Sequence, residues 1–286
     1  MQNTLLLRLL SAALIVPALG LLLSSCARVP NDLNPNARGK QLVVTMRMER
    51  EVRQDYFYFV LINLTDDVAD AGPVPVVLGP PWNNGFAAPA PLPANRQGFV
   101  GFVRYGTGGY SVFGVARDQN GNLANPTLNQ FAFLERPDII LNDPITGRRD
   151  TIAFQLDLSR LPGYVRPGPD GQLNTADDTT ARYVQINFLA TDSLPVGSVD
   201  QFARKTWDAL GDGRSGGLND PVDLGNPGIN TYLTLPLDQN VTRTETEANL
   251  EPPDNDVRER LDRVLTEPDL NLVDWTVEIR SPSASR

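Results

Sequence analysis

The segment Asn271–Arg280 (NLVDWTVEIR) alternates with a period of two. Val273, Trp275, Val277 and Ile279 face one way, and Asp274, Thr276, Glu278 and Arg280 face the other. Such a pattern is a β-strand with one dry face and one wet face. A dry strand face has to be covered by a second layer, so this segment alone predicts sheet packed on sheet. Being C-terminal, it is expected to complete a sheet begun near residue 41.

Other runs carry the same signal. Gln41–Met48 (QLVVTMRM) is β-branched and half alternating. Tyr56–Leu64 (YFYFVLINL) is apolar without interruption, which predicts a central strand covered on both faces. Gly98–Tyr105 and Tyr110–Arg117 flank Gly106-Thr107-Gly108-Gly109, a hairpin signal with a longer loop. Asn129–Glu135, Thr151–Leu158, Tyr183–Thr191 and Thr231–Leu237 complete the strand set. Together they predict a mainly β fold, an antiparallel β-sandwich of roughly eight to ten strands.

Long Pro- and Gly-rich loops join them, above all residues 65–97 and 211–230. One or two short helices are expected. The first would run from Val199 to Leu210, capped by Ser198 and stopped by Gly211. The second would be capped by Asp254, with Val257, Leu261, Val264 and Leu265 on its buried side. A split near residues 162–182 into two small β-domains is the alternative organisation.

Composition narrows the chemistry. The 286 residues include no histidine and one cysteine. Imidazole is therefore missing as base, proton shuttle or metal ligand, and neither an intrachain disulfide nor a Cys-cluster metal site can form. The two lysines, Lys40 and Lys205, stand in no Ser-x-x-Lys spacing, and neither belongs to a phosphate loop of the GxxxxGK[ST] type. A pair of carboxylates, as in glycosidases, remains available, but no spacing singles one out. The balance is against an enzyme. A net charge of −9 argues against nucleic acid as a partner.

The cysteine lies in a distinctive place. Residues 1–26 carry one charge, Arg8, then the apolar run Leu9–Leu23, then Leu23-Ser24-Ser25-Cys26. The run is short for a membrane span and ends in small residues, as secretory signals do. The last four residues resemble the lipobox of bacterial lipoproteins. That resemblance covers residues 1–26. It implies removal of residues 1–25 and attachment of diacylglyceryl to the Cys26 thiol, with acylation of the new amino terminus. Two or three acyl chains hold a protein stably on a membrane. The position after the cysteine is Ala27, which points to the outer membrane in a diderm organism. Residues 26–40 then read as the lipidated cysteine and a flexible tether, and 41–286 as the folded domain. The expectation is a cell-envelope protein with a binding or structural role toward a glycan or an envelope protein.

Two loops are candidate sites. Gly168–Asp178 (GPDGQLNTADD) resembles the short GPDG…GTADD segments of bacterial surface proteins that look like calcium loops, with Asn174 standing where a glycine is usual. The resemblance implies oxygen ligands from Asp170, Asn174, Asp177 and Asp178, since calcium takes six to eight hard oxygens. In the Pro-rich loop, Trp82 with Asn83 and Asn84 is placed to stack on a sugar or a partner surface.

Overall fold

The computed structural model describes residues 39–68, 72–75, 87–89, 99–115, 131–173, 175–194, 206–210, 232–245, 258–259, 263–264 and 266–282. Residues Arg38–Arg286 form one compact unit. Its strands, in chain order, begin with β1 (Gln41–Met48), β2 (Phe57–Thr65), β3 (Pro73–Pro75), β4 (Ala87–Pro89), β5 (Gly101–Gly106) and β6 (Gly109–Val115). Then come β7 (Phe131–Glu135), β8 (Ile139–Asn142), β9 (Thr151–Asp157), β10 (Val165–Arg166), β11 (Thr179–Thr180) and β12 (Tyr183–Thr191). The last are β13 (Thr206–Ala209), β14 (Leu233–Pro236), β15 (Val241–Thr244), β16 (Arg258–Glu259), β17 (Arg263–Val264) and β18 (Leu272–Arg280).

These strands build an antiparallel β-sandwich. The smaller sheet has five strands in the order β15-β18-β1-β9-β8. The larger has nine, β17-β16-β13-β12-β2-β5-β6-β7, with β14 also pairing with β12. Two ribbons, β3-β4 and β10-β11, stand apart. The last strand does complete the sheet begun by β1, with Gln41 opposite Arg280. The strand total exceeds the eight to ten expected, because strands of two to four residues leave no period to read.

Alternation explains the packing. Leu42, Val44 and Met46 of β1 and Trp275, Val277 and Ile279 of β18 point inward. They meet Tyr58, Val60 and Ile62 of β2 and Val184, Ile186 and Phe188 of β12. Trp275 lies 5.8 Å from Phe188, ring centre to ring centre, and so couples the two sheets. A bulge in the β1–β18 ladder, at Arg47/Met48, shifts the phase by one residue at the start of β18 only. Leu272 is buried in its place and Val273 is half-buried.

The larger sheet is covered on both faces. A second core, on the side away from β1, gathers Phe59, Leu61, Phe99, Phe102, Leu189, Trp207 and Ala209. This is why Tyr56–Leu64 reads as unbroken apolar sequence.

Neither expected helix forms within the described residues. Thr206–Ala209 is strand β13, which pairs with Leu189–Thr191 along the edge of β12. Trp207 and Ala209 enter the outer core while Asp208 turns the other way, a period of two too short to register in the sequence. Residues 199–205 lie outside the described residues. Arg258–Glu259 and Arg263–Val264 pair with each other as β16 and β17, and β16 extends the edge of β13. An open sheet edge supplies partners that a helix of this length would not have.

The β5–β6 hairpin is tighter than expected. Gly106 pairs with Gly109, leaving Thr107 and Gly108 as the turn. Gly108 and Gly109 have φ of 91° and 85°, which a side chain would strain.

At the opposite margin the chain passes from one sheet to the other. β7 ends the larger sheet and β8 ends the smaller. Arg160 pins the corner between them, 2.8 Å from Glu135 and 3.1 Å from Asp138. Phe133 and Ile145 are each 60% exposed there, and Ile139 and Leu141 about half.

Candidate functional site

The outer face of the larger sheet carries a row of rings at adjacent positions of neighbouring strands. Phe59 on β2 meets Phe102 on β5 edge-on at 5.7 Å. Phe102 stacks on Phe113 of β6 at 5.0 Å, and Phe113 meets Phe133 of β7 edge-on at 5.9 Å. The row is fully buried at Phe59 and open at Phe133. Strand register sets this order, because each ring stands opposite or diagonal to the next.

Arg104 projects into this row. It lies on the same face of β5 as Phe102, opposite Phe59 on one side and Ser111 on the other. Its Cζ sits 4.7 Å from the centre of Phe113 and 5.9 Å from that of Phe57. Both distances suit a cation over a ring face. The side chain is half-buried. Arg47, Arg53, Arg160 and Arg166 each face a carboxylate. Among the described residues Arg104 faces none, and its guanidinium makes no hydrogen bond. Burial lowers its proton affinity below the ordinary arginine value, with no carboxylate among the described residues acting in the other direction. Among the described residues, its five planar N–H donors are thus flanked by aromatic faces only.

This residue escaped the sequence reading. The available signal was a charged side chain inside an apolar strand, GFVRYG. Which rings would flank it depends on the register of β2, β5 and β6, which no local pattern gives.

The acidic loop between β10 and β11 is compact. Gly168 and Thr175 donate backbone N–H bonds to Asp178, to Oδ1 at 3.3 Å and Oδ2 at 3.2 Å. The Asp170 N–H donates to Asp177 Oδ2 at 3.4 Å, and Gln172 N–H donates to Asp170 Oδ1 at 2.8 Å. The Thr175 hydroxyl donates to Asp177 Oδ1 at 2.7 Å. Gly168 has to be glycine, since a Cβ there would collide with the Asp177 carboxylate. The Thr175 bond holds the Asp177 carboxyl below its ordinary range, helped by backbone N–H groups and opposed by slight desolvation. That contribution is present above the ordinary carboxylate pKa and is lost as pH falls through the lowered value. The structure therefore brings Asp170, Asp177 and Asp178 around one turn and adds Thr175, which sequence reasoning missed. Among the described residues, no three His, Cys, Asp or Glu side chains are arranged to hold a metal ion.

Asn174, Trp82, Asn83, Asn84 and Cys26 lie outside the described residues. A neighbouring acidic turn is structural: Asp66 pairs with Arg166 at 3.0 Å and accepts the Arg182 N–H at 3.2 Å.

No family model matches the chain, and no curated protein or solved structure matches it either.

Proposed function

We propose that this protein is a lipid-anchored cell-envelope β-sandwich that binds a ligand rather than transforming one. The observation that carries the binding part is Arg104. A partly desolvated guanidinium with no counter-charge among the described residues is costly to keep, and an anion completes it. The lack of histidine and of any thiol apart from Cys26 supports binding over turnover. The Leu23–Cys26 box supports the anchor, and Ala27 supports the outer membrane of a diderm cell. Trp82, Asn83 and Asn84 are a second contact in this reading.

The anchor has a direct test. Cys26→Ala is expected to move the protein from the membrane fraction to the soluble or secreted fraction and to abolish labelling by radioactive palmitate. A Cys26→Ala chain that still labels and still pellets with membranes would refute it.

We further propose that the Gly168–Asp178 loop holds a structural calcium ion through Asp170, Asp177, Asp178 and Asn174. Each carboxylate oxygen that accepts an N–H keeps a second lone pair for the metal. EGTA is expected to lower the melting temperature by about 3–8 °C, with recovery on adding excess calcium. An unchanged melting curve, with no heat of calcium binding, would remove the ion from this account.

One observation favours a protein partner as a second reading: the exposed apolar side chains at the β7–β8 corner. An accessory role in an envelope assembly would show as a stoichiometric partner in affinity purification from detergent-solubilised membranes.

A further inference from the structure

The Arg104 guanidinium, with no partner carboxylate among the described residues, also defines what it would bind. We propose that Arg104 and Ser111 form an anion site for a carboxylate carried directly on a six-membered ring, as in an aromatic acid or a uronate sugar. The inference rests on the binding reading above but is independent of the lipid anchor.

Four observations lead to this ligand class. First, the cation is single. Phosphate recognition normally gathers several cations, and no second arginine or lysine among the described residues joins Arg104 over these rings. A lone planar fork matches a monoanionic planar carboxylate, two parallel N–H···O bonds to one group. Second, a neutral donor stands beside it. Ser111 is directly across the β5–β6 ladder on the same face, half-buried, with no side-chain hydrogen bond among the described residues. Its hydroxyl can donate to a carboxylate oxygen or accept from a ring hydroxyl. Third, the flanks are flat and apolar. Phe57 and Phe113 are half-buried and Phe133 is 60% exposed, so the row has open ring surface beside the donors. A ring attached to the carboxylate can lie on that surface, where an extended alkyl chain would leave it uncovered. Fourth, the donors are preorganised. The guanidinium is half-buried and flanked by two rings, so an incoming carboxylate has less to order and desolvate.

The test uses the full chain, extracted from membranes in detergent, with calorimetry and the ¹⁵N-labelled arginine Nε–H spectrum as readouts. The probes are benzoate, glucuronate, acetate and inorganic phosphate. Benzoate or glucuronate is expected to bind and to shift one arginine signal, with acetate and phosphate about tenfold weaker or silent. Benzoate alone would assign an aromatic acid as the source, and glucuronate alone an acidic glycan. Arg104→Met should abolish both the heat and the shifting signal. Arg104→Lys, which keeps the charge without the fork, should weaken binding about tenfold. Ser111→Ala should weaken it by a smaller factor. Arg148→Met, on the other sheet, should leave it unchanged. The Lys and Ala variants keep the test informative where the Met variant fails to fold.

Absence of binding by all four probes would overturn the proposal, as would phosphate binding best or Arg104→Lys binding at full strength. Repeating the titration on the Cys26→Ala chain separates this failure from failure of the anchor. Binding by that chain sustains the site whatever its lipid state.

Discussion

Replacing Trp275 by alanine is expected to lower stability by about 4 kcal/mol, a large fraction of a domain's total stability. The ring is 1% exposed and lies between the two sheets, opposite Met46 on β1 and against Phe188 of the facing sheet. Alanine removes its apolar area from the core and leaves a cavity that strands fixed by their ladders cannot close. The indole Nε1 of Trp275 has no hydrogen-bond partner, which gives a second, diagnostic variant. Phenylalanine keeps most of the ring and deletes the orphaned N–H. The gain from removing an unsatisfied donor then offsets part of the lost volume, so Trp275→Phe should cost only about 1–2 kcal/mol. Urea unfolding of both variants supplies the measurement. An alanine variant within about 1.5 kcal/mol of the parent would show that the site collapses freely and that the sheets are not held by this residue.

The second large effect is expected at Asp208. This buried carboxylate, 4% exposed, sits on β13 of the larger sheet and accepts the backbone N–H of Leu272 on β18 at 2.6 Å. The donor adjoins the bulge that breaks the β1–β18 ladder. Asp208 therefore closes a gap left by the irregularity and ties one sheet to the other. Two terms oppose each other in Asp208→Ala. Losing the carboxylate relieves a desolvation cost, but it leaves the Leu272 N–H buried without an acceptor and removes a charge-assisted bond. The second term is the larger because the donor cannot reach water. A loss of about 2–4 kcal/mol follows. Asp208→Asn keeps an acceptor oxygen and should lose about half as much. Amide hydrogen exchange gives a local check: Leu272 should exchange faster in the alanine variant, while Val44 and Phe154 in the middle of the smaller sheet should follow only the global change. Unaltered protection at Leu272 would mean that Asp208 is not its acceptor in solution.

Sequence and structure agree where a strand is long and its environment simple. β1 and β12 have the bounds their patterns predicted, because eight or nine residues of fixed alternation or unbroken burial leave no other reading. β18 was legible as a strand and in phase from Trp275 onward, and only its start departed, since the bulge there depends on its partner. The two absent helices failed for a related reason. Residues 206–209, 258–259 and 263–264 are too short to display a period, and it is the sheet edge beyond β12 that makes them strands. The acidic loop was legible because its residues are adjacent, although Thr175, which binds Asp177, drew no notice. Arg104 was not legible, because its surroundings come from three strands whose register no local segment encodes.

The position of β1 has a consequence for how the protein comes into being. It lies at the centre of the smaller sheet, between β9 and β18, so the first strand made waits for the last. Lys40 and Ser281, 241 residues apart, touch only when the chain is complete. A chain made from its N-terminus thus exposes the apolar face of β1 until β18 follows. Such non-local closure makes folding slow, and the interval is one in which chaperones would have a substrate.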